Sequence, residues 1–129
     1  TPHDREALRE AVFAGHPRLF FGSDSAPHPR HRKECLGCAA GVFSAPVALP
    51  GLAQLFESAG CLQRLDGFVS AHARSFYRIA PPPRPVRLVQ SPWQVPERYE
   101  TTIPFLAGQT LRWQVENGTN TAEFIDQRD

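Results

Sequence analysis

Between Ser23 and Cys38 the chain reads SDSAPHPRHRKECLGC, a run that gathers carboxylate, imidazole, cationic and thiol groups. Three chemistries are open to such a run. His28-x-x-His31 followed by Cys35-x-x-Cys38 supplies four zinc-ligating side chains. In zinc fingers the two ligand pairs are separated by about a dozen residues, so that two arms close on the ion from opposite sides. Here only Arg32, Lys33 and Glu34 intervene, and two of these are cations. The spacing argues against a local zinc module and leaves Cys35 and Cys38 as a redox pair or as two buried or half-buried thiols. Arg30, Arg32 and Lys33 with His31 form a basic cluster, but no aromatic side chain is interleaved to stack bases, so the cluster reads as a solvated or salt-bridged loop.

The third chemistry depends on position. Leu19-Phe20-Phe21 is a short continuous apolar run, the pattern of a strand buried on both faces, and it leads directly into Gly22-Ser23-Asp24. The Asp24 carboxylate then stands at the C-terminal end of a strand, where catalytic groups sit in a (β/α)8 barrel. Asp24 can equally cap the turn through its own backbone. His28, in a Pro-flanked loop, is either a surface histidine or a donor aimed at an anion. Gly37 to Gly41, GCAAG, is small enough for a ligand to approach backbone N–H groups, although small residues also pack closely for their own sake.

These residues need elements to position them. Thr1, Pro2 and Asp4 have the types and spacing of a capping box with Pro at the first helical position, and Gly15 with Pro17 closes the helix. Leu8, Ala11, Val12 and Gly15 make its narrow apolar stripe, while Arg5, Glu6, Arg9 and Glu10 face water. A second helix starts at Ser44 and Pro46, or restarts at Pro50, and carries Leu52, Leu55, Phe56 and Ala59 to a stop at Gly60. A third carries Leu65, Phe68, Val69, His72 and Phe76 and must end before Pro81-Pro82-Pro83. Val86 to Gln90 and Thr110 to Val115 read as strands, the latter with Leu111, Trp113 and Val115 alternating with Arg112 and Gln114. Residues 116–129 are polar and read as a frayed tail. The two middle helices and the strand at Leu19 to Phe21 are expected in the structure.

The bulk numbers frame the choice. At 129 residues the chain is the size of one domain, and 41% hydrophobic with 21% charged residues is near the globular average. Thirteen prolines, most of them between Pro81 and Pro104, predict a loop-rich second half. A net charge of +1 gives no global field toward nucleic acid or an anionic membrane, so neither is expected as a partner. No apolar run approaches the ~18 residues of a membrane span, the charged start TPHDREALRE is unlike a signal peptide, and three cysteines at irregular spacing suit a reducing compartment. These features predict a cytoplasmic protein, and they discount the Asn117-Gly118-Thr119 sequon.

The runs GSDSAPHPRHRKE, GCAAGVFSAPVAL and PFLAGQTLRW closely resemble the C-terminal part of dihydroorotases of the monofunctional bacterial and fungal type, within the amidohydrolase superfamily. The resemblance extends from about Asp4 to Val115. It implies an α/β fold: the C-terminal portion of a TIM barrel, comprising a helix, the last barrel strand, its active-site loop, two or more helices and a C-terminal loop or β extension, over residues 1–115 with 116–129 outside it. The family's members are zinc enzymes of pyrimidine biosynthesis that interconvert N-carbamoyl-L-aspartate and L-dihydroorotate. The resemblance maps the barrel's metal-binding and proton-shuttling aspartate onto Asp24, the histidine that meets the substrate carboxylate onto His28, and a backbone group that holds the same carboxylate onto Ala40. Chemically this is coherent: two zinc ions lower the pKa of a bridging water and polarise the amide carbonyl, while a carboxylate takes the proton and returns it to the leaving nitrogen.

The resemblance also implies a His-x-His pair, a carboxylated lysine and further histidines. None of His3, His16, His28, His31 and His72 sits in a matching context. A barrel of this kind takes ~250 residues. The expectation is therefore a fragment that is inactive alone and holds zinc weakly or not at all, with the missing N-terminal part of the barrel as its partner and a homodimer left open. The rival reading is a non-catalytic interaction or structural module that retains the family scaffold, and a third is the local zinc module of His28, His31, Cys35 and Cys38.

Overall fold

The computed structural model describes residues 1–82 and 84–116. The tail from residue 117, with the sequon, lies outside the described residues. The described residues divide into two compact units, one formed by Thr1–Gly22 with Leu52–Pro85 and the other by Ser23–Gly51 with the described residues from Val86 on.

The first unit is helical. Helix α1, Pro2–Phe13, begins with the predicted box: the Thr1 hydroxyl accepts from the Asp4 N–H at 3.2 Å and donates to the Asp4 carboxylate at 2.6 Å. Gly15, at φ +77, follows its end. The stripe is shallow, for no residue of α1 is fully buried and Leu8 is exposed. The core of this unit comes from Ala53, Phe56, Cys61 and Leu65. Phe56 is its centre, edge-on to Phe13 with ring centroids 5.3 Å apart and tilted against Phe68 at 5.5 Å. The Arg64 guanidinium donates to the Phe13 carbonyl and so ties the end of α1 down. Beyond Gly60, the predicted third helix forms as a 3-10 turn at Leu62–Arg64, a π-helical turn at Gly67–Ala71 and then a regular helix at His72–Tyr77. It ends at Arg78 in the left-handed region, φ 53, ahead of the prolines.

The predicted strand at Leu19 to Phe21 is not a strand. The segment is extended and half-buried, but it has no ladder partner among the described residues. Its backbone groups turn instead to the helical side: the Phe21 N–H donates to the Phe68 carbonyl at 2.9 Å, and the Leu19 carbonyl accepts from His72 Nδ1 at 3.0 Å. An apolar run becomes a strand only when a neighbour supplies ladder bonds. No parallel sheet and no closed barrel occurs among the described residues; the only sheet there is two-stranded and antiparallel.

That sheet belongs to the second unit. Strand β1, Leu88–Gln94, pairs with β2, Thr110–Val115, from Leu88 opposite Val115 to Gln94 opposite Thr110. The first strand starts two residues later than predicted and runs on through Pro92. Register shifts between Gln90 and Trp93, where Pro92 has no N–H to give the ladder, and a bulge absorbs the defect. Val95, Leu111 and Val47 form this unit's buried cluster, with Trp93 and Leu106 packed against it. Val47 belongs to the 3-10 turn Ala45–Val47, which continues into helix α3, Ala48–Ser58; Ser44 thus starts the helix as predicted. A short helix α2, Arg30–Lys33, lies within the chemically loaded loop.

Candidate active-site loops

Asp24 follows the extended segment with an exposed side chain and a backbone at φ 42. A non-glycine residue in that region is held there by its surroundings, and the surroundings can be named. The Ser23 hydroxyl accepts from the Ser25 N–H at 3.4 Å, and the Ser23 carbonyl accepts from the Ser44 hydroxyl at 3.4 Å. The Ser25 hydroxyl accepts from the N–H groups of Ser44, 3.2 Å, and Ala45, 3.0 Å. Those two N–H groups open the turn that leads into α3, so one serine both caps a helix and fixes the residue beside Asp24. Ser25 also forms an isolated parallel bridge with Val42, and the Ala26 N–H donates to the Val42 carbonyl at 2.9 Å.

This bridge brings the surroundings of all three predicted positions together. Asp24 immediately precedes the bridge, His28 stands on the stretch that leaves it, and Ala40 on the stretch that returns to it. Gly41, at φ +95, lies so close to Ala26 that a Cβ there would overlap the Ala26 methyl. Ala40 is exposed. His28 is half-buried and lines a pocket of about 400 Å³ with Arg30, Lys33, Val42, Phe43 and the stretch from Ile103 to Leu106. The Phe105 N–H holds that wall by donating to the Phe43 carbonyl at 2.8 Å, and the Arg30 N–H donates to the Thr101 carbonyl at 2.9 Å. Tyr99 packs edge-on to Phe43 at 5.7 Å, and burial pushes its phenol above its ordinary value of 10.0.

Of the two readings of the basic cluster, the salt-bridged one holds at Arg30, and Lys33 adds a contact that neither foresaw. Arg30 makes a two-oxygen bond to Glu34 at 2.8 and 2.9 Å across one helical turn. Lys33 Nζ turns inward and donates to the carbonyls of Ala39, 2.7 Å, and Gly41, 2.5 Å. Sequence reasoning missed both Lys33 and Ser25, whose partners lie far along the chain, and it missed the wall at Ile103 to Leu106. Cys35 and Cys38 are exposed, not buried or half-buried, because the loop around Leu36 stands out into water; Cys61 is the buried thiol. Among the described residues, no three His, Cys, Asp or Glu side chains converge as a metal-binding group. His28, His31, Cys35 and Cys38 are not brought together as zinc ligands. Asp24 offers one carboxylate, and the described residues do not by themselves fit a zinc centre.

This chain is 47% identical over 116 residues to a dihydroorotase of Yersinia enterocolitica and 46% identical over 116 residues to one of Alkalilimnicola ehrlichii, in each case over 87% of its own length. A dihydroorotase structure from Campylobacter jejuni superposes with a TM-score of 0.78 and 41% identity over 88% of this chain. By sequence and by fold this chain is similar to one portion of the dihydroorotases. The dihydroorotase of Saccharomyces cerevisiae, solved in complex with 5-fluoroorotic acid, superposes with a TM-score of 0.79 at 37% identity over 90% of the chain. No family model matches. The chain spans about a third of the length of the curated dihydroorotases it matches, 33% and 34% for the two named. No helix among the described residues is long and apolar enough to cross a membrane.

Proposed function

We propose that this chain supplies the proton-carrying carboxylate and the carboxylate-binding loop of a dihydroorotase active site, formed together with the parts of the family fold that it does not span. The observation that carries the reading is the Ser25–Val42 bridge, which sets the loop of Asp24 and His28 beside the loop of Ala40. In the hydrolytic direction a water attacks the ring amide carbonyl of L-dihydroorotate, and its proton passes to Asp24. The carbon–nitrogen bond breaks as Asp24 returns that proton to the ring nitrogen, which leaves N-carbamoyl-L-aspartate. His28, at the rim of a pocket that also holds Arg30 and Lys33, donates to the substrate's carboxylate, and the Ala40 backbone N–H supplies a second donor. When bound, zinc would polarise the amide carbonyl and acidify the water. In this reading Asp24 is one of its ligands and the others come from outside these residues. A cytoplasmic location accords with the substrate, a small soluble anion.

The test is complementation. Co-expression of this chain with a dihydroorotase segment carrying the remaining two thirds of the fold should give zinc binding and turnover of L-dihydroorotate, and Asp24→Ala should abolish turnover. Unchanged turnover in Asp24→Ala, or zinc and turnover by the 129-residue chain alone, would overturn the assignment. Zinc held by the chain alone and lost on Cys35→Ser would favour the local zinc module instead.

A further inference from the structure

We infer that Lys33 is a positioning residue, whose ammonium sets the direction of the Ala40 N–H and so prepares the loop for a substrate carboxylate. The inference rests on the functional reading of Ala40 given above and adds a residue and a mechanism to it. Lys33 Nζ bonds the Ala39 and Gly41 carbonyls, the acceptors on either side of Ala40. A trans peptide is planar, and its C=O and N–H point in opposite directions. Drawing the Ala39 carbonyl onto Lys33 therefore turns the Ala40 N–H away from Lys33. That N–H has no hydrogen-bond partner among the described residues, and Ala40 is exposed. The donor is presented outward while its own carbonyl neighbours, which would repel a carboxylate, are drawn back.

Lys33 is itself held for this task. The Ala39 N–H donates to the Arg32 carbonyl at 2.9 Å, which closes the loop at the base, and Lys33 is half-buried at the end of α2. Glu34, the acid next in sequence, is taken by Arg30 and not by Lys33. The lysine charge is thus left to the two carbonyls, and its positive field reaches the same pocket that His28 and Arg30 line. An arginine there would present a wider planar fork to two carbonyls spaced for one ammonium.

Two measurements test this together. In the 129-residue chain, Lys33→Ala should speed hydrogen exchange of the Ala39 amide about tenfold or more, with exchange at Val95 and Leu111 unchanged. In the complemented enzyme, Lys33→Ala should raise KM for L-dihydroorotate by about tenfold or more, the size expected when charge-assisted hydrogen bonds are lost, with kcat far less affected. It should leave the inhibition constant of dihydrouracil, the same ring without the carboxylate, within about twofold. Lys33→Arg should recover part of the KM loss. An unchanged KM, or an equal loss of affinity for dihydrouracil, would overturn the role of Lys33 while Asp24→Ala still abolishes turnover. Turnover that survives Asp24→Ala removes the functional reading, and this inference falls with it.

Discussion

Replacing Gly41 by alanine puts a methyl group where the Ala26 methyl already is. Two costs follow, and they can be separated. The backbone at φ +95 is one that L residues rarely adopt, worth about 1–2 kcal/mol. The new Cβ would also lie inside the 3.0 Å that real Cβ contacts essentially never cross, against the Cβ of Ala26, which cannot rotate away. Overpacking of this kind costs about 1–3 kcal/mol, so Gly41→Ala should destabilise by about 2–5 kcal/mol. Ala26→Gly alone should cost only about 0.5–1 kcal/mol. In the double variant the overlap disappears and the backbone cost stays, so it should be more stable than the two single costs predict by about 1–3 kcal/mol. Trp93 and Trp113 both lie on the sheet of the same unit, which makes tryptophan fluorescence under urea the natural probe. Single costs that add to within about 0.5 kcal/mol would refute the close approach of Gly41 to Ala26 beside the bridge.

Ser25→Ala removes the acceptor for two N–H groups at the start of the α3 turn and should lower the urea midpoint by the equivalent of about 1–2 kcal/mol; an unchanged midpoint would mean water serves as well. Phe56→Ala empties the centre of the helical unit and should cost about 3–5 kcal/mol by helical circular dichroism in urea. The Tyr99 phenol is raised by burial, so the folded state favours its neutral form. That contribution is present below the unfolded value near 10.0 and is lost as pH rises through the higher folded value. With Tyr77→Phe leaving Tyr99 as the sole tyrosine, an alkaline ultraviolet titration should show a midpoint above 10.0; one at or below it would contradict the burial.

What could be read from the sequence was what neighbours along the chain decide. The capping box of Thr1 and Asp4, the stop at Gly60 and the alternation around Leu111 depend on residues a few positions apart, and all three took the expected form. The run at Leu19 to Phe21 looked like a strand because its composition is that of one, yet strand pairing needs a second segment, and here the backbone bonds went to Phe68 and His72. The basic cluster was legible as far as its salt bridge, which Arg30 makes with Glu34, but the inward turn of Lys33 was not. Lys33 finds its acceptors six and eight residues on, and no periodic pattern signals that. Ser25 and the wall at Ile103 to Leu106 were hidden because their contacts span about twenty residues in one case and about sixty in the other. The placement of Asp24, His28 and Ala40 on adjoining loops was legible only through resemblance, since spacing alone left Asp24 as either a turn residue or a proton carrier.

The bond from the Ala39 N–H to the Arg32 carbonyl makes the residues between them a loop within a loop, with Leu36 fully exposed at its tip. A loop whose base is pinned can change length without disturbing what lies beneath it, and doubling such a loop costs only about 0.6 kcal/mol in closure entropy. Residues 35–38 are therefore the place in this chain where a fluorophore, an affinity tag or a short peptide could be grafted while Lys33, Glu34, Ala40 and the bridge at Ser25 keep their positions.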